Sequence, residues 1–304
     1  MDQRILITGG SGLLAVNWAM AVRERYEVTL GLHSKNIVLG GVNCLSINLE
    51  SVEQLSQTMS IIKPDVVIHA AGLTSIERCE LEPDLARHVN TELAENVAKV
   101  CARLELPLVY ISTDHLFAGA DTLVLENQPV APVNIYGRSK AEAENRVRNI
   151  CPQALMIRTN FFGWGTSYRQ SFSDIVINGL LAGKELTLFQ DVLYTPILAE
   201  TLALAVHDLV EHKESGVFNI VGDERVSKYD FGMRLAEQFG LNHSLIKPGL
   251  IIQRPSLVKR PLDMSLSNQK IVSILNRKLG GVVQHIARLH QQEQLGQAQE
   301  LKTL

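Results

Sequence analysis

Cysteine is scarce. The 304 residues hold four, Cys44, Cys79, Cys101 and Cys151, far apart and with no C-x-x-C pair. That pattern suggests neither a zinc knuckle nor a disulfide framework, so the expectation is reduced, mostly buried thiols in a cytoplasmic protein. Positive charge is not in surplus either: 29 Lys and Arg face 32 Asp and Glu, a net charge of −3. With no Lys/Arg stripe, nucleic acid is not an expected partner. No apolar run approaches the roughly 20 residues that span a bilayer, so no membrane anchor is expected. The first residues faintly resemble a signal peptide ending in Ala19-Met20-Ala21. Thr8-Gly9-Gly10-Ser11-Gly12 splits the apolar stretch, and Asn17 and Trp18 sit before the supposed site, so strand, turn and helix explain it better. No G-x-S-x-G elbow is present, which argues against a serine hydrolase. The nine histidines include no H-E-x-x-H. His207 and His212, like His285 and His290, read as structural or surface residues and His69 as a core histidine, so no metal is expected.

What is present suits a folded enzyme. Hydrophobic residues make up 46% and charged ones 20%, enough for a core and without the signature of disorder. Short apolar runs alternate with helical patterns through the first half. Strands are expected at 4–8, 27–32, 43–47, 65–69 and 107–112, and helices at 12–24, 52–62, 83–103 and 134–149, with 154–157 returning to the sheet. Ser51 is a plausible N-cap and Pro64 a stop for the second of those helices. This repetition predicts an α/β fold: a Rossmann-type, doubly wound parallel sheet with right-handed crossovers. The long, polar, proline-bearing segment 117–132 reads as a functional loop. From about residue 158 the pattern loosens, with helices near 172–181, 198–211, 228–240 and 268–277 and a strand near 216–221. A smaller C-terminal substrate-binding lobe is expected there. The organisation is thus a dinucleotide-binding domain over 1–160 and a mainly substrate-binding lobe over 161–304, with 195–222 returning to the first domain. The Gln-rich stretch 282–304 reads as a helix that frays.

The first strand runs into Gly9-Gly10-Ser11-Gly12-Leu13-Leu14-Ala15, spaced G-x-x-G-x-x-A. Gly9 permits a tight turn, Gly12 lets backbone approach a pyrophosphate, and Ala15 allows close helix–strand packing. The helix start that follows, with Ser11 in the turn, offers free N–H groups to phosphate. At the end of the second strand, where an NAD enzyme carries Asp or Glu for the adenosine 2′-hydroxyl, stand His33, Ser34 and Lys35. These residues suit a 2′-phosphate, so NADP(H) is favoured over NAD(H).

Tyr136-Gly137-Arg138-Ser139-Lys140 sets a phenol and an amine four residues apart, on one face of a helix. A neighbouring ammonium lowers the pKa of a phenol toward useful acid–base chemistry. The fifth strand ends in Ser112-Thr113-Asp114, at the carboxyl edge where ligands bind in such sheets. A hydroxyl there can bond a substrate carbonyl, and Asp114 can hold the substrate.

At this point a resemblance is plain. The segments ILITGGSGLLA, PDVVIHAAGLTSIERCELEP from Pro64, Val89-Asn90, YISTDHLFAG and YGRSK resemble extended short-chain dehydrogenases/reductases. Within them the chain is most similar to dTDP-4-dehydrorhamnose reductases and the related regulatory β-subunit of methionine adenosyltransferase. The resemblance covers nearly the whole chain and is strongest over 3–160. It implies Thr113, Tyr136 and Lys140 as the catalytic group. For the cofactor it implies Gly9, Gly12, Leu13 and Leu14 at the pyrophosphate, Asn48 and Leu49 near adenine, and Ala70, Ala71 and Gly72 along the dinucleotide. Asn90 would support the catalytic strand, and Thr74 would lie near the sugar or nicotinamide. Arg158-Thr159 with Asn160 and Phe161, Pro196 and Arg260 resemble the family's substrate-side positions. Two departures stand out. Phe161 replaces a tryptophan, and Asp191-Val192-Leu193-Tyr194-Thr195-Pro196-Ile197 lacks the Gln, the Gly and the final Thr of the family's loop.

The resemblance implies an NADPH-dependent reductase of a nucleotide-linked 4-keto-sugar. The alternatives are a non-catalytic NADP-binding regulatory subunit and an NAD-dependent sugar-nucleotide epimerase. The expected partner is a nucleotide-sugar substrate, and a homodimer is the expected assembly.

Overall fold

The computed structural model describes residues 3–304. Its frame is a seven-stranded parallel sheet. Strands β1 (Arg4–Thr8), β2 (Glu27–Leu32) and β3 (Asn43–Ser46) alternate with helices α1 (Leu13–Val22) and α2 (Val52–Ile62). After β4 (Val66–His69) come α3 (Ile76–Leu81), α4 (Pro83–Arg87) and α5 (Leu93–Arg103), then β5 (Leu108–Ile111), α6 (Ile135–Ile150) and β6 (Leu155–Arg158). The order across the sheet is β3-β2-β1-β4-β5-β6, closed by a later strand. The winding direction reverses between β1 and β4, which opens a crevice at the carboxyl edge.

Burial on both faces explains the unbroken apolar strands. Successive side chains point to opposite faces. Ile5 and Ile7 join one core with Trp18 and Ala19 of α1, while Leu6 joins a second core with Leu55 of α2 and Val97 of α5. Ser51 caps α2 by accepting from the Gln54 N–H at 3.2 Å. Lys63, ahead of Pro64, ends that helix at φ 50°.

The second half supplies β7 (Phe161–Phe162), α7 (Phe172–Leu181), β8 (Leu186–Phe189), β9 (Leu193–Tyr194), β10 (Ile197–Leu198) and α8 (Ala199–Glu211). Next come β11 (Gly216–Asn219), β12 (Val226–Ser227), α9 (Lys228–Gln238), β13 (Ile246–Gly249), α10 (Gln269–Leu275), α11 (Val282–Gln294) and α12 (Gln297–Lys302). Strand β11 is the seventh of the sheet, alongside β6. Helix α8 lies on α1, where the Trp18 indole N–H donates to His207 Nε2 at 3.0 Å. Burial lowers the pKa of His207 to about 4, which keeps that nitrogen an acceptor.

Two expectations are corrected. The helix over 83–103 is not regular. Between α4 and α5 the chain makes a π-turn, His88–Glu92. The extra residue turns Asn90 inward, to partners that no local pattern encodes. The C-terminal stretch does not fray. Val282, Ile286 and Leu289 are buried on one side of α11, and the Leu289 carbonyl accepts from the Trp164 indole at 3.1 Å. Arg23 of α1 holds Glu300 of α12 with two bonds of 2.5 and 2.9 Å. Most of the glutamines are exposed, while the buried Gln292 is bonded to Glu200 at 2.8 Å.

Candidate active site

A cleft of about 930 Å³ opens at the carboxyl edge over the β1/β4 reversal. One end is made of backbone. Gly9, at φ +70°, lies so near the loop after β4 that a Cβ would stand 2.6 Å from Ala71 Cα. A Cβ on Gly12 would stand 2.9 Å from the Gly9 carbonyl oxygen. The turn is drawn tight by the Gly12 N–H to the Gly9 carbonyl at 2.7 Å. The first N–H groups of α1 have no intrahelical acceptor and face outward over this hollow. Shape, free donors and helix polarity therefore fit a dinucleotide diphosphate. Ser11, Leu13, Leu14, Leu49, Ala70, Ala71, Gly72, His33 and Ser34 line the same cleft.

At the other end stand the phenol and the amine. Asn134 caps α6 by accepting from the Gly137 N–H at 2.8 Å. Gly137 lets the helix lie against the loop after β5, since a Cβ would come 2.4 Å from the His115 carbonyl oxygen. Tyr136 and Lys140 both face the cleft, beside Thr113, Asp114 and Ser112. Burial pushes the Tyr136 phenol up to about 12, against a hydrogen bond with Thr113 that lowers it. The Lys140 ammonium donates to the Ile111 carbonyl at 2.7 Å. Burial brings its pKa down to about 7, with the Glu144 carboxylate opposing. The expected effect of Lys140 on Tyr136 is thus not what governs the phenol here. Desolvation does, and it keeps the hydroxyl protonated at neutral pH.

Supporting bonds fix this geometry. Asn90 accepts from the Leu73 N–H at 2.7 Å and donates to the Leu73 carbonyl and to Ser139 Oγ, both at 3.0 Å. It thereby ties the loop after β4 to the helix bearing Tyr136, rather than to the strand. Asn160 donates to Asp114 at 2.5 Å, and Phe161 and Thr74 border the same end. Ser112 Oγ and Thr159 Oγ1 are buried at the cleft without partners among the described residues.

Four residues singled out from the sequence lie off the cleft wall. Lys35 sits with its Nζ 4.3 Å from the centre of the Tyr168 ring. Asn48 donates to Gln54 at 2.8 Å. Pro196 stands against Gly222, and Arg260 is ion-paired with Glu77. Conversely, the cleft is lined by residues that sequence reasoning missed: His88, His115, Tyr168, Arg169 and Phe172. The only signal for His115 was its place directly after Asp114. Nothing marked Tyr168 and Arg169, whose positions depend on contacts more than ninety residues away in sequence.

A parallel sheet reversing between β1 and β4, with tyrosine and lysine above the reversal, is the arrangement of the short-chain dehydrogenases/reductases. The chain is an oxidoreductase of that class. Within the class it belongs to the RmlD substrate-binding domain family, whose model matches residues 3–294.

It is 30% identical over 268 residues to the probable low-salt glycan biosynthesis reductase Agl14 of Haloferax volcanii, covering 86% of this chain and 89% of that protein. It is 26% identical to the dTDP-4-dehydrorhamnose reductase of Aggregatibacter actinomycetemcomitans, over 88% of this chain and 92% of the other. It is 25% identical to the methionine adenosyltransferase 2 subunit beta of Pongo abelii, over 90% and 83%. Among solved structures, the dTDP-4-dehydrorhamnose reductase of Bacillus anthracis in complex with NADP has the same fold. The TM-score is 0.84 at 22% identity, over 96% of this chain and 100% of that one.

Proposed function

We propose that the protein is an NADPH-dependent reductase of a nucleotide-linked 4-keto-sugar, of the dTDP-4-dehydrorhamnose reductase kind. The observation that carries this reading is the Tyr136 phenol beside Thr113 and Lys140, in one cleft with the glycine turn. A phenol keeps its proton at neutral pH and can give it to the alkoxide that develops on the carbonyl oxygen, a stronger base than phenolate, as carbonyl reduction requires.

NADPH, when bound, supplies a hydride to the carbonyl carbon. Gly9, Ser11, Gly12, Leu13 and Leu14 would hold its diphosphate, with Leu49, Ala70, Ala71 and Gly72 along its length. His33 and Ser34, in place of an acidic residue, suit the 2′-phosphate of NADP(H). Lys140 grips the ribose hydroxyls. Thr113 Oγ donates to the substrate carbonyl oxygen, exchanging its 3.3 Å bond to Asp114 for that contact. Tyr136 Oη hands its proton to the same oxygen, and the phenolate is then stabilised by Thr113 and by protonated Lys140, whose pKa the new negative charge raises. Asp114 and Asn160 hold sugar hydroxyls, Phe161 packs on the ring, and Thr74 borders the nicotinamide. Asn48, Pro196 and Arg260 act from behind the wall, by holding its loops. Residues 1–160 form the cofactor domain and 161–304 mainly the substrate lobe, with 195–222 returning to the first. The enzyme works in the cytoplasm, with a homodimer as the expected assembly.

The test is NADPH oxidation with dTDP-4-dehydrorhamnose, comparing the native chain with Tyr136→Phe. The variant should lose about a thousandfold in kcat while binding NADPH within about threefold of native. A second reading, a regulatory NADP-binding subunit, draws on the methionine adenosyltransferase relative. No turnover with any keto-sugar nucleotide, together with one stoichiometric enzyme partner, would favour it.

A further inference from the structure

In the proposed reading the cleft takes two ligands that each carry a diphosphate, yet its walls are poor in fixed positive charge. Among the described residues lining it there is one guanidinium, Arg169, and one ammonium, Lys140. Lys140 is engaged by the Ile111 carbonyl, and burial has brought it close to neutrality. The cations nearby are also engaged: Lys35 lies on Tyr168, Lys228 lies 3.4 Å from the centre of the Tyr194 ring, and Arg260 pairs with Glu77. Arg169 has no acidic partner among the described residues. Its hydrogen bond goes to a neutral hydroxyl, Nη2 to Thr74 Oγ1 at 2.7 Å. A guanidinium carries five donors and stays charged throughout the physiological range, so most of its capacity is unused.

The segment that carries Arg169 is built to present it. The Thr166 N–H donates to the Arg169 carbonyl at 2.8 Å, closing a small hairpin. Its root is gripped by the buried Asp174 carboxylate, which accepts from the Gly165 N–H at 2.7 Å and from the Ser171 N–H and hydroxyl at 2.8 and 2.5 Å. The tip spans the cleft. Tyr168 Oη donates to the Ser11 carbonyl in the glycine turn at 2.8 Å, while Arg169 meets Thr74 on the loop after β4. A guanidinium held this way borders the cleft that runs between the glycine turn and Tyr136. Its planar fork matches two phosphate oxygens at once.

The geometry points to Arg169 as a diphosphate clamp across the mouth of the cleft, exchanging the Thr74 hydroxyl for phosphate oxygens when ligand enters. The source is either the dinucleotide or the nucleotide sugar. This inference rests on the proposed function for the identity of the ligands, but its test does not need turnover.

Arg169→Met and Arg169→Lys are compared with the native chain by titration with NADPH, with dTDP and with 2′,5′-ADP, which has adenosine phosphates but no diphosphate. Arg169→Met should weaken NADPH or dTDP at least about tenfold, leave 2′,5′-ADP within about twofold, and keep the native melting temperature, with Arg169→Lys recovering part of the loss. A loss confined to NADPH assigns the clamp to the cofactor, and one confined to dTDP assigns it to the sugar nucleotide. Unchanged affinity for both diphosphates, or an equal loss for 2′,5′-ADP, overturns the clamp. Should the native chain fail to oxidise NADPH with keto-sugar nucleotides while diphosphate binding still depends on Arg169, the reductase reading falls and the clamp stands.

Discussion

The two ends of the cleft are built by different means. Around Gly9, Gly12 and Ala70–Gly72 the wall is backbone, and what counts is the carbon that is missing. Around Asp114, Asn160, Phe161 and Arg169 the wall is side chain, and what counts is the group that is present. Backbone geometry follows from the sheet itself, so a dinucleotide site is inherited with the fold. Side chains on loops can be exchanged without disturbing that frame, so substrate choice is set separately. Of the two departures from the family pattern, Phe161 falls on the second kind of wall, while 191–197 lies behind it.

That contrast can be broken most forcefully at Gly9. A Cβ would stand 2.6 Å from Ala71 Cα at a backbone angle of +70°. Gly9→Val should weaken NADPH at least about a hundredfold and destabilise the fold by about 3 kcal/mol, as read by cofactor titration and denaturant unfolding. Retained affinity would mean the turn is not the cofactor's seat. On the side-chain wall, Asn160→Ala removes the 2.5 Å bond to the buried Asp114 carboxylate. It should lower kcat/KM for the keto-sugar nucleotide about tenfold with little change in NADPH affinity. A drop in both would show that the two walls are coupled.

The smallest effect lies at the seam. Lys140 has a pKa of about 7 in the folded protein against an ordinary value of 10.5. Between those values the unfolded chain holds the proton and the native one does not, so stability rises with pH, by at most about 1.4 kcal/mol per pH unit. Urea unfolding between about pH 7 and 8.5 should therefore show a shallower rise for Lys140→Met than for the native chain. Equal slopes would mean that Lys140 is solvated and charged.

The glycine turn of the first wall and the tyrosine–lysine pair at the other end were legible in the sequence, because their causes are local. A glycine turn after an apolar strand, and a tyrosine and lysine on one helical face, need only neighbouring residues to be recognised. The second wall was less legible, because its causes are distant. The site of Lys35 depends on Tyr168, and that of Arg169 on Thr74. The fate of the C-terminal helices depends on Trp164 and Arg23, far earlier in the chain. Polarity alone made 282–304 look loose, although Val282, Ile286 and Leu289 already marked a buried stripe.

The π-turn at His88–Glu92 has a wider consequence. Removing its surplus residue would restore an ideal helix and swing everything on one side of the deletion by roughly 100° about the axis. Asn90 would then leave Leu73 and Ser139, and the loop after β4 would lose this tie to the helix that carries Tyr136. The more regular chain would be the less competent one, so design toward ideal geometry should stop short of this turn.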